Sequence, residues 1–295
     1  MEQILLFIVK IIYNLNLMLK RYSNRIYGLF SLATSVIFIT LSLLYSCNIF
    51  SVNDDINLGK EIDKEIKSKP LEYPMLQGHQ DIKDYVSGIG KYIINTSSLI
   101  EYKDIFPYNF QIINDSIINA FCTPGGYIYV YTGLMKFVDN EATLAGVLAH
   151  EIAHAERRHM TQRLTSYYGV SVVLNLLLGN NPSTAAEIVA NLFVGLGFLA
   201  NSRSDEGESD NYSIRYLMTS QYYPGGIIFF FDKIREEQKK KGTTPGSLDR
   251  LLSTHPLPQD RIDNVAEQFK ILKINPDPTK GLYTERYQQQ KSKLP

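Results

Sequence analysis

The sequence is poor in cysteine, balanced in charge and free of internal repeats. Its 295 residues hold two cysteines, Cys47 and Cys122. That allows one disulfide at most, and each cysteine reads better as an isolated side chain. Cys122 reads as a small buried residue, because no cysteine-protease signature surrounds it. Lysine plus arginine equals aspartate plus glutamate at 30 each, so the formal net charge is zero. That balance gives no support to nucleic-acid binding. No segment repeats, which excludes a solenoid or a tetratricopeptide array within this sequence. What remains is an ordinary globular composition, 44% hydrophobic, long enough for one large domain or two small ones.

The informative stretch runs from Asn140 to Tyr168 and contains His150-Glu151-Ile152-Ala153-His154. It reads H-E-x-x-H. Residues four apart share a helix face, so both imidazoles can reach one metal ion. Glu151 lies about 100° round the axis, within reach of water beside the metal. Leu144, Val147, Leu148, Ile152 and Ala155 supply an apolar stripe, and Gly146 is the one glycine of that run. Asp139 or Asn140 caps the start, and Glu141 suits the positive first turn. As bland core residues, two unpartnered imidazoles and a carboxylate would be costly in such a helix. A second class of H-E-x-x-H proteins needs a glycine and a third histidine downstream. Those positions are Arg157 and Met160, so that class is excluded.

A catalytic zinc keeps three protein ligands and one open position. Candidates for the third lie between Ser202 and Asp210. Glu206 and Asp210 are four apart and share a helix face. Glu206 can bind the metal while Asp210 accepts the N–H of a ligand histidine, His150 first. Glu208 is the competing ligand and points elsewhere on that helix. A solvated acidic helix surface is the ordinary alternative.

The N-terminus carries Lys20, Arg21 and Arg25 ahead of an apolar run from Ile26 to Leu44. Leu44-Tyr45-Ser46-Cys47 resembles a bacterial lipoprotein processing site, which would make Cys47 a lipidated residue. The alternative is an uncleaved signal anchor. Either way the positive flank stays inside and the rest of the chain lies outside the cytoplasmic face. Met18 to Arg21 would make a conventional signal-peptide start, so translation is expected to begin at Met18.

Hydrophobic spacing predicts helices over Asn53 to Ser68 and His79 to Ser97, and strands over Tyr108 to Ile113 and Tyr127 to Tyr131. Two apolar helices follow between Tyr167 and Leu199, as a hairpin over the cleft or as core. Further helices are expected over Arg203 to Ser220, Ile227 to Lys241 and Gln259 to Leu272. His255 lies in a His-Pro loop.

The two motif segments together resemble the zinc metallopeptidase family that includes the CAAX prenyl proteases, HtpX, and the BepA and LoiP envelope proteases. There H-E-x-x-H is followed at a distance by S-R-x-x-E-x-E-A-D. The chain has the same order, with Ser209 where alanine is usual. The segment Asn119-Ala120-Phe121 through Gly125 and Gly126 matches a further family element, as does His255-Pro256 with Arg261. The resemblance implies Zn²⁺, one per chain, on His150, His154 and Glu206, with Glu151 as general base and Asp210 behind the ligands. It implies that His255 approaches the metal, as an oxyanion donor or as a reversible fourth ligand, with Arg261 orienting its loop. It also implies a substrate-binding edge strand at Gly125, Gly126, Tyr127 and Tyr129. A plain core hairpin is the other reading of that strand.

The expected fold is α+β: a mostly helical zincin-type domain over 48–273 with a small β-sheet beside the H-E-x-x-H helix. Residues 1–47 are the signal or anchor segment, and 274–295 a polar tail. The expected function is a membrane-tethered zinc endopeptidase acting on misfolded or misassembled envelope proteins, on the periplasmic side. The rivals are a metal-free chaperone or assembly lipoprotein, and an intramembrane prenyl-type protease. The latter would need several true spans.

Overall fold

The computed structural model describes residues 9–14, 48–168, 201–239, 248–255 and 261–295. The chain divides into Met1–Cys47 and Asn48–Pro295. In the first unit, residues 9–14 are helical. The expectations placed on Cys47, on Ile26 to Leu44 and on residues 169–199 lie outside the described residues. Among the described residues no helix is long and apolar enough to cross a membrane.

The expected α+β architecture is present in the second unit. Helix α1 (Val52–Ser68) starts at Ser51, whose hydroxyl accepts from the Asp54 amide, and it buries Leu58, Ile62 and Ile66. Helix α2 (Gln80–Thr96) buries Ile82, Val86, Ile89 and Ile93 along one face. Three strands follow: β1 (Asn109–Ile113), β2 (Ala120–Thr123) and β3 (Tyr127–Tyr131). Their spatial order is β1-β3-β2, with β3 parallel to β1 and antiparallel to β2.

That order corrects one expectation. The resemblance implies an edge strand at Tyr127 and Tyr129, with a core hairpin as the other reading, and β3 is in fact central. Its backbone pairs with Asn109 to Ile113 on one side and with Ala120 to Thr123 on the other. A strand hydrogen-bonded on both sides has no free edge to offer a peptide. The edge toward the metal-binding motif belongs to β2 instead. Gly125 and Gly126 make the turn between β2 and β3. Both have left-handed φ angles, 72° and 85°, which favour glycine.

Helix α3 (Thr132–Phe137) leads to α4 (Glu141–Glu156), the helix carrying H-E-x-x-H. Asn140 caps it, its side-chain oxygen accepting from the Thr143 amide at 2.9 Å. Every residue of α4 is buried. It is enclosed all round rather than amphipathic, as befits the central helix of a domain. The helix does not continue through His159. The chain breaks at Arg157-Arg158, where Arg158 has φ 57°, and restarts as α5 (His159–Tyr168). Arg158 is anchored in that conformation by the Asp55 carboxylate and the Phe50 carbonyl.

Helix α6 (Arg203–Leu217) packs along α4, and α7 (Gly226–Lys239) crosses it. The α7 crossing is close because two glycines meet. A Cβ on Gly146 would lie 2.4 Å from the Ile227 nitrogen, and one on Gly226 would lie 2.0 Å from the Ala142 oxygen. Helices α8 (Asp249–Thr254), α9 (Arg261–Ile271) and α10 (Thr284–Lys291) follow among the described residues.

The segment read as a polar tail is folded back against the core. Tyr287 is buried and its hydroxyl donates to the Met135 carbonyl at 2.5 Å. Arg286 Nε lies 2.6 Å from the Glu141 carboxylate at the start of α4. One buried aromatic in a polar helix leaves no periodic signal, so the sequence pattern missed it.

The glycine crossing gives a stability test with opposite signs at two sites. Gly146→Ala is expected to destabilise by about 1–3 kcal/mol, because the methyl meets backbone that cannot yield. Gly207→Ala in α6, with nothing within 4 Å of an added Cβ, is expected to stabilise by up to about 1 kcal/mol. Denaturant unfolding of both variants measures this. Equal stability of Gly146→Ala and wild type would show that the crossing is not tight.

Candidate metal centre

Four buried side chains converge where α4, α6 and the end of α8 meet. They are His150, His154, Glu206 and His255, and each offers one ligand atom within 4.8 Å of the others. The i,i+4 spacing on α4 sets His150 Nε2 and His154 Nε2 3.0 Å apart. Helix α6 opens with a capping box, Ser202 and Asp205, which fixes its first turn and with it Glu206. Glu206 Oε1 lies 3.2 Å from His154 Nε2, and Oε2 lies 3.5 Å from His150 Nε2. His255 Nδ1 lies 2.9 Å from Glu206 Oε1. Backbone closure of α8, His255 N–H to the Leu251 carbonyl at 2.7 Å, holds His255 at the helix end.

The remaining sequence candidates group around these. Glu151 Oε1 is 3.6 Å from His255 Nε2, while its Oε2 is buried and, among the described residues, has no hydrogen-bond partner. Asp210 Oδ1 is 2.9 Å from His150 Nδ1, on the side of the ring away from the cluster. Arg261 reaches both acids: Nε to Asp210 Oδ2 at 2.7 Å, and its terminal nitrogens to Asp210 Oδ1 and Glu206 Oε2 at 2.6 Å each. Its guanidinium also stacks 4.4 Å from the Phe231 ring centre. Glu208 points away from the cluster, as the helix period requires, and pairs with Arg157 and His159. Gly125 and Gly126 adjoin α1, and Tyr127 and Tyr129 pair within the sheet, so these four stand outside the cluster.

Two buried residues near the ligands escaped the sequence reading. Asn201 Nδ2 lies 2.6 Å from Glu206 Oε1 and 3.2 Å from His255 Nδ1. His159 Nδ1 lies 2.8 Å from His154 Nδ1. On an unbroken helix His159 would sit about 140° round from His154. Only the turn at Arg158 brings it behind that ring, and no local sequence signal marks such a turn.

The charges show whether a divalent cation suits this donor set. Burial opposes ionisation of Glu206, yet the surrounding histidines hold its carboxyl well below the usual range. Asp210 is likewise held low against its burial, by Arg261 and His150. Counting the buried Glu151 and the nearby Arg163, three carboxylates thus face two guanidiniums. Without a metal the deficit is met by a proton: burial opposes it, but Asp210 and Glu206 raise His150 to about 9. Burial meanwhile pushes His154 and His159 below their ordinary range. Two imidazoles and a carboxylate, converging and buried, with one negative charge in excess, fit Zn²⁺. The orphaned Glu151 oxygen fits a base waiting for water.

Residues 83–268 match the description peptidase family M48. The chain belongs to that family. It is 26% identical over 236 residues to the beta-barrel assembly-enhancing protease of Yersinia pestis, covering 77% of this chain and 46% of that protein. The same-named protein of Escherichia coli K12 is 26% identical over 222 residues, 72% of this chain and 43% of the relative. The mitochondrial metalloendopeptidase OMA1 of Schizosaccharomyces pombe is 25% identical over 221 residues, 75% of this chain and 62% of that one. The chain therefore spans about half the length of the bacterial relatives. The metalloprotease family and the buried His150, His154, Glu206 and His255 group fit a zinc metalloendopeptidase.

Because ligand histidines must be neutral, zinc uptake must expel the His150 proton. Apparent zinc affinity is expected to climb about tenfold per pH unit below pH 9 and flatten above it. Calorimetry near neutral pH in buffers of different ionisation enthalpy should report about one proton released per zinc. A pH-independent affinity would contradict the charge assignment.

Proposed function

We propose that this M48 chain is a zinc endopeptidase, tethered to a membrane of the bacterial cell envelope, that cleaves misfolded or misassembled envelope proteins. The observation that carries the reading is the H-E-x-x-H helix facing Glu206, with the unpartnered Glu151 carboxylate oxygen beside the ligands. The names of the bacterial relatives and the apolar run before Cys47 support the envelope part.

His150, His154 and Glu206 would hold the ion, with Asp210 orienting His150. Zinc there supplies Lewis acidity, making water a nucleophile near neutral pH and offsetting oxyanion charge. Glu151 takes the proton of the attacking water and delivers it to the leaving amine. Among the described residues β2 pairs on one side only, with β3, and it runs beside Glu151: Ala120 and Cys122 line the cavities on either side of that carboxylate. An extended peptide can pair with this edge through main-chain hydrogen bonds, which suits unfolded substrates of varied sequence. On the Ala120 side the wall is apolar, with Val147, Ile227, Phe230 and Leu251.

His255 stands inside the ligand group rather than outside it. A catalytic zinc needs an open position, so this arrangement supports the reversible fourth-ligand reading over the oxyanion donor. Withdrawal of His255 would open the site.

Glu151→Gln is expected to retain one zinc and wild-type unfolding while losing about 10²–10⁴ in turnover of an unfolded protein substrate. Wild-type turnover in that variant would overturn the mechanism. His255→Ala is expected to raise turnover several-fold in the same assay. A fall instead would return His255 to the oxyanion role.

A further inference from the structure

We propose that Glu208 and His159 form a hydrogen-bonded relay that fixes the ring tautomer of His154 and so makes it a competent metal ligand. The inference rests on the metal reading above. It begins from two contacts that the ligand set does not use. His159 Nδ1 faces His154 Nδ1 at 2.8 Å, and His159 Nε2 lies 3.0 Å from Glu208 Oε2.

With a metal between His154 Nε2 and Glu206 Oε1, which are 3.2 Å apart, hydrogen-bond logic settles the direction. A carboxylate only accepts, so His159 Nε2 carries a hydrogen and donates. A neutral imidazole has one N–H, which leaves His159 Nδ1 as an acceptor. The hydrogen between the two rings then belongs to His154 Nδ1. His154 Nε2 is left with a bare lone pair, aimed at the atoms it shares with His150 and Glu206. The opposite direction would put a hydrogen on His154 Nε2 and forbid ligation. The Ser209 hydroxyl, 3.4 Å from His159 Nδ1, is the other polar neighbour.

The outer end is tied down as well. Arg157 Nε donates to Glu208 Oε1 at 2.8 Å, leaving Oε2 for His159. His159 itself is buried, whereas Glu208 is partly exposed. The two ligand histidines are thus backed in parallel. Asp210 with Arg261 stands behind His150, and His159 with Glu208 and Arg157 behind His154. Partners of this kind orient ligand rings and raise their basicity, and losing one weakens metal binding by about 10–100-fold. His159 and Glu208 are positioning residues, acting through His154.

The test is zinc affinity of the full chain by chelator competition, for wild type, His159→Phe, His159→Gln and Glu208→Gln. His159→Phe is expected to bind zinc about 10–100-fold more weakly. His159→Gln, which can accept from His154 and donate to Glu208, is expected to recover most of that loss. Glu208→Gln should weaken binding in the same direction. In ¹⁵N-histidine spectra of the zinc-loaded wild type, the hydrogens should reside on His154 Nδ1 and His159 Nε2. Unchanged zinc affinity in folded His159→Phe, or equal loss in the Phe and Gln variants, would overturn the relay. If His159→Phe does not fold, the ring spectra and Glu208→Gln decide, and a hydrogen on His159 Nδ1 overturns it. A wild-type chain that takes up no zinc removes the metal reading itself.

Discussion

The structure turns on one buried carboxylate. Glu206 sits between two imidazoles of α4 and the guanidinium of Arg261, with no solvent to share its charge. An ionised carboxylate in that position is costly unless cations or strong donors surround it. Those donors come from α4 and α9, both distant in sequence from the α6 helix that carries Glu206. The charge is therefore satisfied only when α4, α6 and α9 are assembled, and that assembly is also what makes a metal site. Folding and ligand geometry are set by the same contacts.

The rest of the domain holds α4 in place for this encounter. The helix is buried on every side, so its orientation is fixed by packing all round rather than by one interface. The glycine crossing with α7 sets the approach on one flank, and β2 lies on another. The C-terminal helix α10 reaches back to Glu141 and Met135, tying down the region where α4 begins. A shift of α4 by an ångström would separate His150 and His154 from Glu206. It would also move Glu151 away from the β2 strand.

Much of this was legible in the sequence, and the particular residues show why. His150 and His154 share a face by helix period alone. Glu206 and Asp210 follow from the same rule on a second helix, and Glu208 points to another side of it. The periodic helices α1 and α2 and the strands β1 and β3 also lie where their patterns put them. The misreadings share a cause. Tyr127 and Tyr129 alternate as a strand should, but alternation does not say whether a strand is central or at an edge. The segment after Ile274 is polar, yet Tyr287 and Arg286, with backbone contacts at Gly281 and Leu282, dock it.

By itself the sequence determined which side chains could share a helix face and so which groups could meet around one ion. Local periodicity encodes these, because a helix converts spacing into direction. Only the tertiary structure decided which strand meets the cleft, how His255 stands within the ligand group, and that His159 lies behind His154. Each of these depends on pairings between distant segments, or on a single left-handed residue held by Asp55. No spacing along the chain records such contacts.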